Sequence, residues 1–429
     1  MRMQAKRDGH MPGIKPAGTV IELFAGVGGF RLALERSNWE TVLANQWEPA
    51  TTSQQAFDCY QRHFQGQGEN TNIDVAELVS RIVEKKRKIP KADMIVGGLP
   101  CQDYSVAKSL NSAKGLEGKK GVLWWEIHSL AKLVKPKFVF LENVDRLLKS
   151  PSTQRGRDFA IMLRTLGDLG YLIEWRVINA AEAGFPQRRI RIYIVATKGG
   201  NLQTNAPDAV IRESGVFARA FPVKAIGKMK TITIDADPVS ITENFGAGLK
   251  KSPFLGAGVY HNGVAYTSEV ENLPPNSRAT LGDILVPSNS VPAEFFVDSS
   301  SIGEWERLKG KKTITRIHKA SGFEFKYSEG SMAFPDSTDK PSRTIVTGEG
   351  GTSPSRFKHI IETNHRYRRL TPVELERLNG FPDDWTKFDV DGNQISDVKR
   401  AFFMGNALVV GVVEKIGAVL AQDLASSRS

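Results

Sequence analysis

Two cysteines, Cys59 and Cys101, occur in the chain, and they keep different company. Cys59 sits within Ala56-Phe57-Asp58-Cys59-Tyr60, a setting in which cysteine behaves as a small buried hydrophobe. Cys101 follows a proline in Gly97-Gly98-Leu99-Pro100-Cys101-Gln102-Asp103-Tyr104-Ser105, directly after the apolar run Met94-Ile95-Val96. That order predicts a thiol at the carboxyl end of a parallel strand, where open α/β sheets bind ligands. As a thiolate it would be a nucleophile. Two more sets of polar residues follow apolar runs in the same way. Glu142-Asn143-Val144 comes after Phe138-Val139-Phe140, and Gln187-Arg188-Arg189-Ile190-Arg191 leads into Ile192–Val195. A glutamate there could simply cap a helix, and the arginines could simply form a basic face. Their convergence with Cys101 on one sheet edge predicts a site instead, with Arg189 or Arg191 as the nearest source of positive charge to favour a thiolate.

A second kind of chemistry is suggested upstream. Phe24-Ala25-Gly26-Val27-Gly28-Gly29 joins a predicted strand, Thr19–Phe24, to a predicted helix, Phe30–Arg36. Glycines let a ligand approach the backbone and leave helix amides available to it, although the full dinucleotide spacing is not completed. The next strand ends at Asn45-Gln46-Trp47-Glu48, where such folds contact the ribose and base of a nucleoside. The stretch after Cys101 carries Lys108, Lys114, Lys119 and Lys120 among Gly115, Gly118 and Gly121. It suits a phosphate-seeking lid, with a solvated charge run as the plainer reading.

These residues need a frame. Short apolar runs at Thr41–Ala44, Met94–Val96, Phe138–Leu141 and Ile190–Ala196 alternate with helical patterns such as Leu123–Val134 and Phe159–Leu169. The alternation predicts an α/β domain built on a mostly parallel sheet. The rhythm fades after residue 198, and Gly, Pro, Ser and Thr-rich sequence up to about 340 reads as a smaller, irregular β-rich lobe. Thr371-Pro372-Val373-Glu374 has capping-box spacing with proline at the first helical position. A last helix over about 407–424 presents Val410, Val413, Ile416, Leu420 and Leu424 as a packing stripe. The expected division is a basic lead-in over 1–18, an α/β domain over 19–199, a second lobe over 200–340, and a return segment over 341–429 that completes the first domain.

Composition narrows the classes. The 429 residues are 40% hydrophobic and 24% charged, as in globular proteins, and the formal net charge of +11 favours a polyanionic partner. Two cysteines build neither a disulfide framework nor a cysteine-based zinc site, so no metal is expected. With no run of about 18 apolar residues and no signal-like stretch after Met1, a cytoplasmic protein without membrane contact is expected.

Taken in order, Phe24–Gly29, Pro100-Cys101-Gln102, Glu142-Asn143-Val144, Gln187–Arg191, Arg369-Leu370-Thr371-Pro372 through Asn379-Gly380-Phe381-Pro382, and Gly405-Asn406-Ala407 resemble the motifs of DNA cytosine-5 methyltransferases of the bacterial restriction-modification type. The resemblance runs from Val20 to about Ala421. It implies a Rossmann-like S-adenosylmethionine-dependent methyltransferase fold with a β-rich target-recognition lobe. The implied reaction moves a methyl group from S-adenosyl-L-methionine to carbon 5 of a cytosine flipped out of double-stranded DNA. By resemblance Cys101 is the nucleophile, Glu142 contacts the ring, Arg191 holds the base, Asn143 orients the Pro100-Cys101 backbone, and Gln187 and Arg189 complete the catalytic set. Phe24, Gly26, Val27, Gly29, Trp47, Asp74, Pro100, Leu123 and Asn406 fall at cofactor positions. The family usually has glutamate where this chain has Gln46, so either Gln46 or Glu48 is expected on the ribose; Asn72 is an alternative register to Asp74. Leu408 replaces a commoner valine.

Lys250, Lys251, Arg307, Lys309, Lys311, Lys312, Arg316 and Lys319 are expected to meet phosphates, and Tyr260, His261 and Asn262 to reach bases. A monomer is expected, alongside a cognate restriction endonuclease or defence-system protein but without a stable complex. Two rival functions share the resemblance: an RNA cytosine-5 methyltransferase and a non-catalytic DNA-binding homologue. RNA-acting relatives typically carry a cysteine close to the asparagine of the glutamate-asparagine motif; none stands near Asn143. Intact Cys101, Glu142, Gln187 and Arg191 argue against the second.

Overall fold

The computed structural model describes residues 15–49, 51–99, 123–202, 207–317 and 322–428. The Cys101 segment lies outside them. Ten strands form one sheet in the order β3-β2-β1-β4-β5-β7-β6-β9-β10-β8. The first five are β1 (Gly18–Leu23), β2 (Trp39–Asn45), β3 (Glu69–Thr71), β4 (Met94–Gly98) and β5 (Phe138–Asn143). They run parallel, as the strand and helix alternation predicts. The rest of the sheet corrects the expectation of a mostly parallel sheet. β7 (Ile190–Lys198) enters antiparallel between β5 and β6 (Tyr171–Asn179). β9 (Ala257–His261), β10 (Val264–Asn272) and β8 (Val223–Thr233) continue it antiparallel. Adjacent antiparallel strands need only tight turns, such as His261-Asn262-Gly263-Val264 with φ of 47° at Asn262 and 84° at Gly263.

Helices cover both faces because the central strands alternate apolar side chains to each side. One face packs α1 (Gly29–Arg36), α2 (Gln55–Phe64), α7 (Pro372–Leu378) and α9 (Val410–Arg428) on Val20, Phe138, Phe140 and Tyr193. The other packs α3 (Val75–Val83), α4 (Leu123–Val134) and α5 (Arg157–Asp168) on Ile21, Ile95, Val139 and Ile194. α8 (Asp397–Asn406) joins the first of these layers through Ala401, Phe403 and Met404, whereas α6 (Ile302–Lys309) belongs to neither. The β-rich part of 200–340 is therefore divided: β8 to β10 extend the main sheet, while β11 (Lys312–Ile317) and β12 (Glu324–Glu329) form a separate two-stranded ribbon.

The return segment is held at the start of α7 by side chains of its own. The Thr371 hydroxyl accepts from Glu374 N–H and the Glu374 carboxylate accepts from Thr371 N–H, closing the capping box. Arg368 grips the same Glu374 at 2.7 and 2.8 Å with both side chains fully buried. Removing one partner would strand a buried charge, at about 3–5 kcal/mol. Among the described residues no single helix is long and apolar enough to cross a membrane.

Candidate active site

Glu142 ends β5 and Arg191 begins β7, one step diagonal in an antiparallel register that pairs Glu142 with Tyr193. Because strands repeat every two residues, both side chains project to the same face. Arg191 Nε lies 3.0 Å from Glu142 Oε1, with the two side chains only 17% and 12% exposed. Burial raises the Glu142 carboxyl above the usual range, opposed by the cations Arg191 and Arg189. The other carboxyl oxygen lies over Gly98 at the end of β4: a Cβ there would come within 3.3 Å of Oε2. Leu99 N–H donates to the Glu142 carbonyl at 3.2 Å. Leu99, the last described residue before the Cys101 segment, is thus tied to the same strand end as this carboxyl.

Arg189 is 2% exposed and donates from Nη2 to the Gly405 carbonyl at 3.0 Å. Its Nε and Nη1 have no partner among the described residues, and burial together with Arg191 disfavours its cation. Asn143, 3% exposed, accepts from Val144 N–H at 2.7 Å. Gln187 is placed differently from these. It is fully buried, donates to Asn379 Oδ1 at 2.9 Å, and accepts from Ile345 N–H at 3.1 Å. Asn379 in turn donates to the Met404 carbonyl at 2.8 Å. Gln187 therefore joins the arginine segment to the return segment.

The glycine turn is shaped for a ligand. Phe24 holds φ at 54°, a conformation uncommon outside glycine, and Gly97 lies so close to β1 that a Cβ would come within 2.8 Å of the Leu23 carbonyl. Gly26 has φ of 56° and a Cβ on it would meet nothing within 4 Å among the described residues. The turn therefore opens onto free space. Gly26 N–H donates to Gln46 Oε1 at 2.7 Å, which leaves the Gln46 amide nitrogen, with one further lone pair on the oxygen, for any other contact. Trp47 beside it is 39% exposed, an unusual position for a large ring and one suited to stacking. Glu48 has other partners for both oxygens, Lys399 Nζ at 3.0 Å and Ala56 N–H at 3.1 Å. Asp74 caps α3 by accepting from Ala76 N–H at 2.8 Å, while Asn72 donates to the Gln46 carbonyl at 2.7 Å. Leu123 opens α4 half-buried, and Asn406 is exposed at the end of α8. Leu408 packs over Gly29, and the Val27 side chain is core.

A Rossmann-like sheet with an open glycine turn and a buried carboxyl-arginine pair at the ends of β5 and β7 is the arrangement that the sequence motifs call for. The family model for C-5 cytosine-specific DNA methylase matches residues 18–422. The chain belongs to this family. It is a DNA cytosine-5 methyltransferase. The Type II methyltransferase M.Sau3AI of Staphylococcus aureus is 44% identical over 410 residues, covering 93% of this chain and 94% of that one. The Type II methyltransferase M.HpaII of Haemophilus parainfluenzae is 34% identical over 429 residues, covering 96% and 92%. The crystal structure of the S. pombe Dnmt2 methyltransferase covers 95% of this chain and 99% of that chain with a TM-score of 0.57 at 15% identity, which establishes a shared fold.

Three residues that the sequence reading passed over bear on the family site. Trp385 donates to the Val27 carbonyl at 2.8 Å and stacks on His63 with ring centres 3.6 Å apart, so the return segment buttresses the glycine turn. Glu126 in α4 is pushed up to about 7 by burial and by the nearby Asp74. Arg356 ties the ribbon to the return segment. Only Trp385 had a sequence signal, its place just after Asn379-Gly380-Phe381-Pro382. In the other direction, Tyr260 is 1% exposed, with its ring against Gly167 and its hydroxyl accepting from Gly263 N–H at 3.2 Å. β9 pairs Tyr260 with Ile173 near the start of β6, whereas Asn179 at the end of β6 pairs with Ile190 beside the site. Tyr260, His261 and Asn262 thus lie at the edge away from Glu142, and the expectation that they reach bases is corrected. Lys309 is also buried, against Asp336 at 3.2 Å, and is not available to phosphates.

Proposed function

We propose that the chain methylates carbon 5 of cytosine in a specific double-stranded DNA sequence, using S-adenosylmethionine and a covalent Cys101 adduct on a flipped-out base. The observation that carries this reading is the buried Glu142–Arg191 pair, with the free side of the Glu142 carboxyl aimed at the end of β4. The donor set of the glycine turn fits the cofactor: an open turn, the Trp47 ring for adenine, and the Gln46 amide nitrogen for the ribose. Bound there, S-adenosylmethionine supplies an electrophilic methyl group on a sulfonium.

Carbon 5 of cytosine is too electron-poor to take that methyl unaided. The Cys101 thiolate adds to carbon 6, forming a carbon–sulfur bond and moving the electron pair of the 5,6 double bond toward carbon 5. A protonated Glu142 gives its proton to ring nitrogen 3, which neutralises the charge that addition would otherwise place on the ring. Arg191 fixes the carboxyl and holds the base; Arg189 adds positive charge that favours the thiolate. After carbon 5 has taken the methyl, loss of its proton to solvent restores the double bond and expels Cys101 as thiolate, and ring nitrogen 3 returns its proton to Glu142. A paired cytosine is out of reach of such a site, so the base must leave the stack, at a cost of a few kcal/mol. Residues 19–199 and 341–429 carry the reaction, and the part of 200–340 outside the main sheet meets the target sequence.

Bisulfite sequencing of DNA from a methylation-deficient host that expresses the chain tests this reading. The expected result is 5-methylcytosine at one recurring sequence; unmodified cytosine throughout, with the folded protein present, would refute it.

A further inference from the structure

More than half of the chain's net charge of +11 gathers where two helices hand over to β4 and β5. Lys85, Lys86, Arg87, Lys88 and Lys91 lie between α3 and β4, Lys132 lies in the last turn of α4, and Lys135 and Lys137 lie between α4 and β5. Only Glu84 and Asp93 stand among them. The two stretches run side by side, since Phe138 N–H donates to the Asp93 carbonyl at 2.9 Å and β4 pairs Met94 with Phe138. Part of the charge is answered locally. Lys86 lies 2.6 Å from Glu84, Arg87 lies 2.5 Å from Glu69, and Lys137 donates to the Lys198 carbonyl at 3.1 Å. Asp93 is taken by Arg428 at 2.6 Å. Lys85, Lys88, Lys91, Lys132 and Lys135 are all exposed and have no carboxylate partner among the described residues.

Helix chemistry does not account for these five. A cation in the last turn offsets the helix dipole, which suits Lys132, but Lys88 and Lys91 lie well past the end of α3. Lys85 and Lys135 each follow a helix in the left-handed conformation, with φ of 58° and 51°. Glycine is the usual residue there because it has no Cβ, so both loops keep a lysine where the backbone favours its absence. The edge they occupy is the amino end of the strands, opposite Glu142. β4 and β5 interpose five and six residues, roughly 15–20 Å, so a duplex seated at Glu142 cannot also lie against these lysines. The five are point charges on flexible stems, and neither loop has an aromatic ring on which an unstacked base could rest. Such a surface matches the phosphate backbone of a duplex and reads no sequence.

We propose that this lysine edge is a second, sequence-independent DNA site, which holds a neighbouring stretch of the same long duplex and keeps the enzyme on one DNA molecule from target to target. The test replaces Lys85, Lys88, Lys91, Lys132 and Lys135 together by glutamine, with melting temperature as the check on folding. With one equivalent of a short target duplex bound, wild type should still take up a labelled duplex that lacks the target. The variant should bind that second duplex ten-fold or more weakly, and the slope of log affinity against log salt should be shallower by about 4. On linear DNA with two distant targets, challenged with competitor DNA after the first encounter, the share of molecules methylated at both should fall several-fold in the variant. Methylation of the short duplex should stay within two-fold. A folded variant that binds the second duplex as wild type does would overturn the proposal, as would an equal loss on short and long DNA. Wild type that prefers polyglutamate or phosphatidylserine vesicles to the second duplex would also overturn it. Wild type that takes up the second duplex but methylates no DNA would instead sink the methylation reading and leave this site standing.

Discussion

Arg191 Nε stands 3.0 Å from Glu142 Oε1, so the group proposed to hold the base also restrains the proton of the group proposed to activate it. Burial raises the Glu142 carboxyl and the guanidinium opposes it. If the protonated form is the active one, the rate must fall as pH rises through the Glu142 pKa. Removing the opposing cation lifts that pKa further. Arg191→Gln should therefore shift the alkaline limb of the rate profile to higher pH while lowering its height. Glu142→Gln should lose the limb and about a hundred-fold or more in single-turnover rate. An unshifted limb in Arg191→Gln would dissociate the two residues.

The two thiols should separate cleanly. Cys59 is fully buried, 3.5 Å from the Trp385 carbonyl, and burial pushes its thiol far up. Cys59→Ser should keep activity within a few-fold, whereas Cys101→Ser should abolish methyl transfer and keep cofactor binding. Mass spectrometry after brief alkylation of the native protein should find the label on Cys101 alone. A dead Cys59→Ser with an active Cys101→Ser would reassign the nucleophile.

Gln46 offers a test of the ribose contact. Its oxygen already accepts from Gly26 N–H at 2.7 Å, so the amide nitrogen is its freer group for a ligand. Gln46→Glu supplies an acceptor and a charge-assisted bond, worth roughly 1 kcal/mol, and should tighten S-adenosylmethionine binding about five-fold by calorimetry. Gln46→Ala frees the glycine turn and should weaken binding by ten-fold or more. Equal affinity in all three forms would place the ribose elsewhere.

Glu22 is fully buried in β1, accepts from Tyr60 Oη–H at 2.9 Å and Arg31 N–H at 3.2 Å, and is pushed up to about 7, chiefly by burial. A folded-state pKa above the unfolded one contributes stability that is full below about 4.5 and lost as pH rises through about 7. Wild type should lose up to about 3 kcal/mol relative to Glu22→Gln between pH 5 and pH 8. Urea titrations of both proteins at the two pH values measure it; parallel pH dependence would mean that Glu22 stays ionised.

The glycine turn, Gln46 and Glu142 could be read from residue order, because the parallel half of the sheet delivers them at strand ends, whereas Arg191 comes in on the antiparallel β7. Leu123–Val134 was legible as a helix, and the Thr371 capping box was legible from four residues. What was hidden depended on tertiary partners. Nothing local to Val223–Thr233 says that it will extend the main sheet, since antiparallel strands of either lobe share the same alternation. Tyr260 looked like an exposed reader beside His261 and Asn262, but Gly167 on α5 leaves room for its ring inside. Glu48 looked like a ribose ligand, and only the approach of Lys399 from α8, far along the chain, gives it another partner.

The packing of α9 on α1 fixes when the enzyme can come into being. Trp39 Nε1 donates to the Gly417 carbonyl at 2.9 Å, Ser37 Oγ donates to the Glu414 carbonyl at 2.8 Å, and Arg428 reaches the Ala17 carbonyl at 2.9 Å. β1 and α1 therefore wait for a helix made far later along the chain. At ordinary synthesis rates that delay is roughly 20 to 80 s, during which one apolar face of the nascent sheet has no cover. Newly made chains should depend on chaperones in that interval, and DNA modification should lag translation by at least the same time.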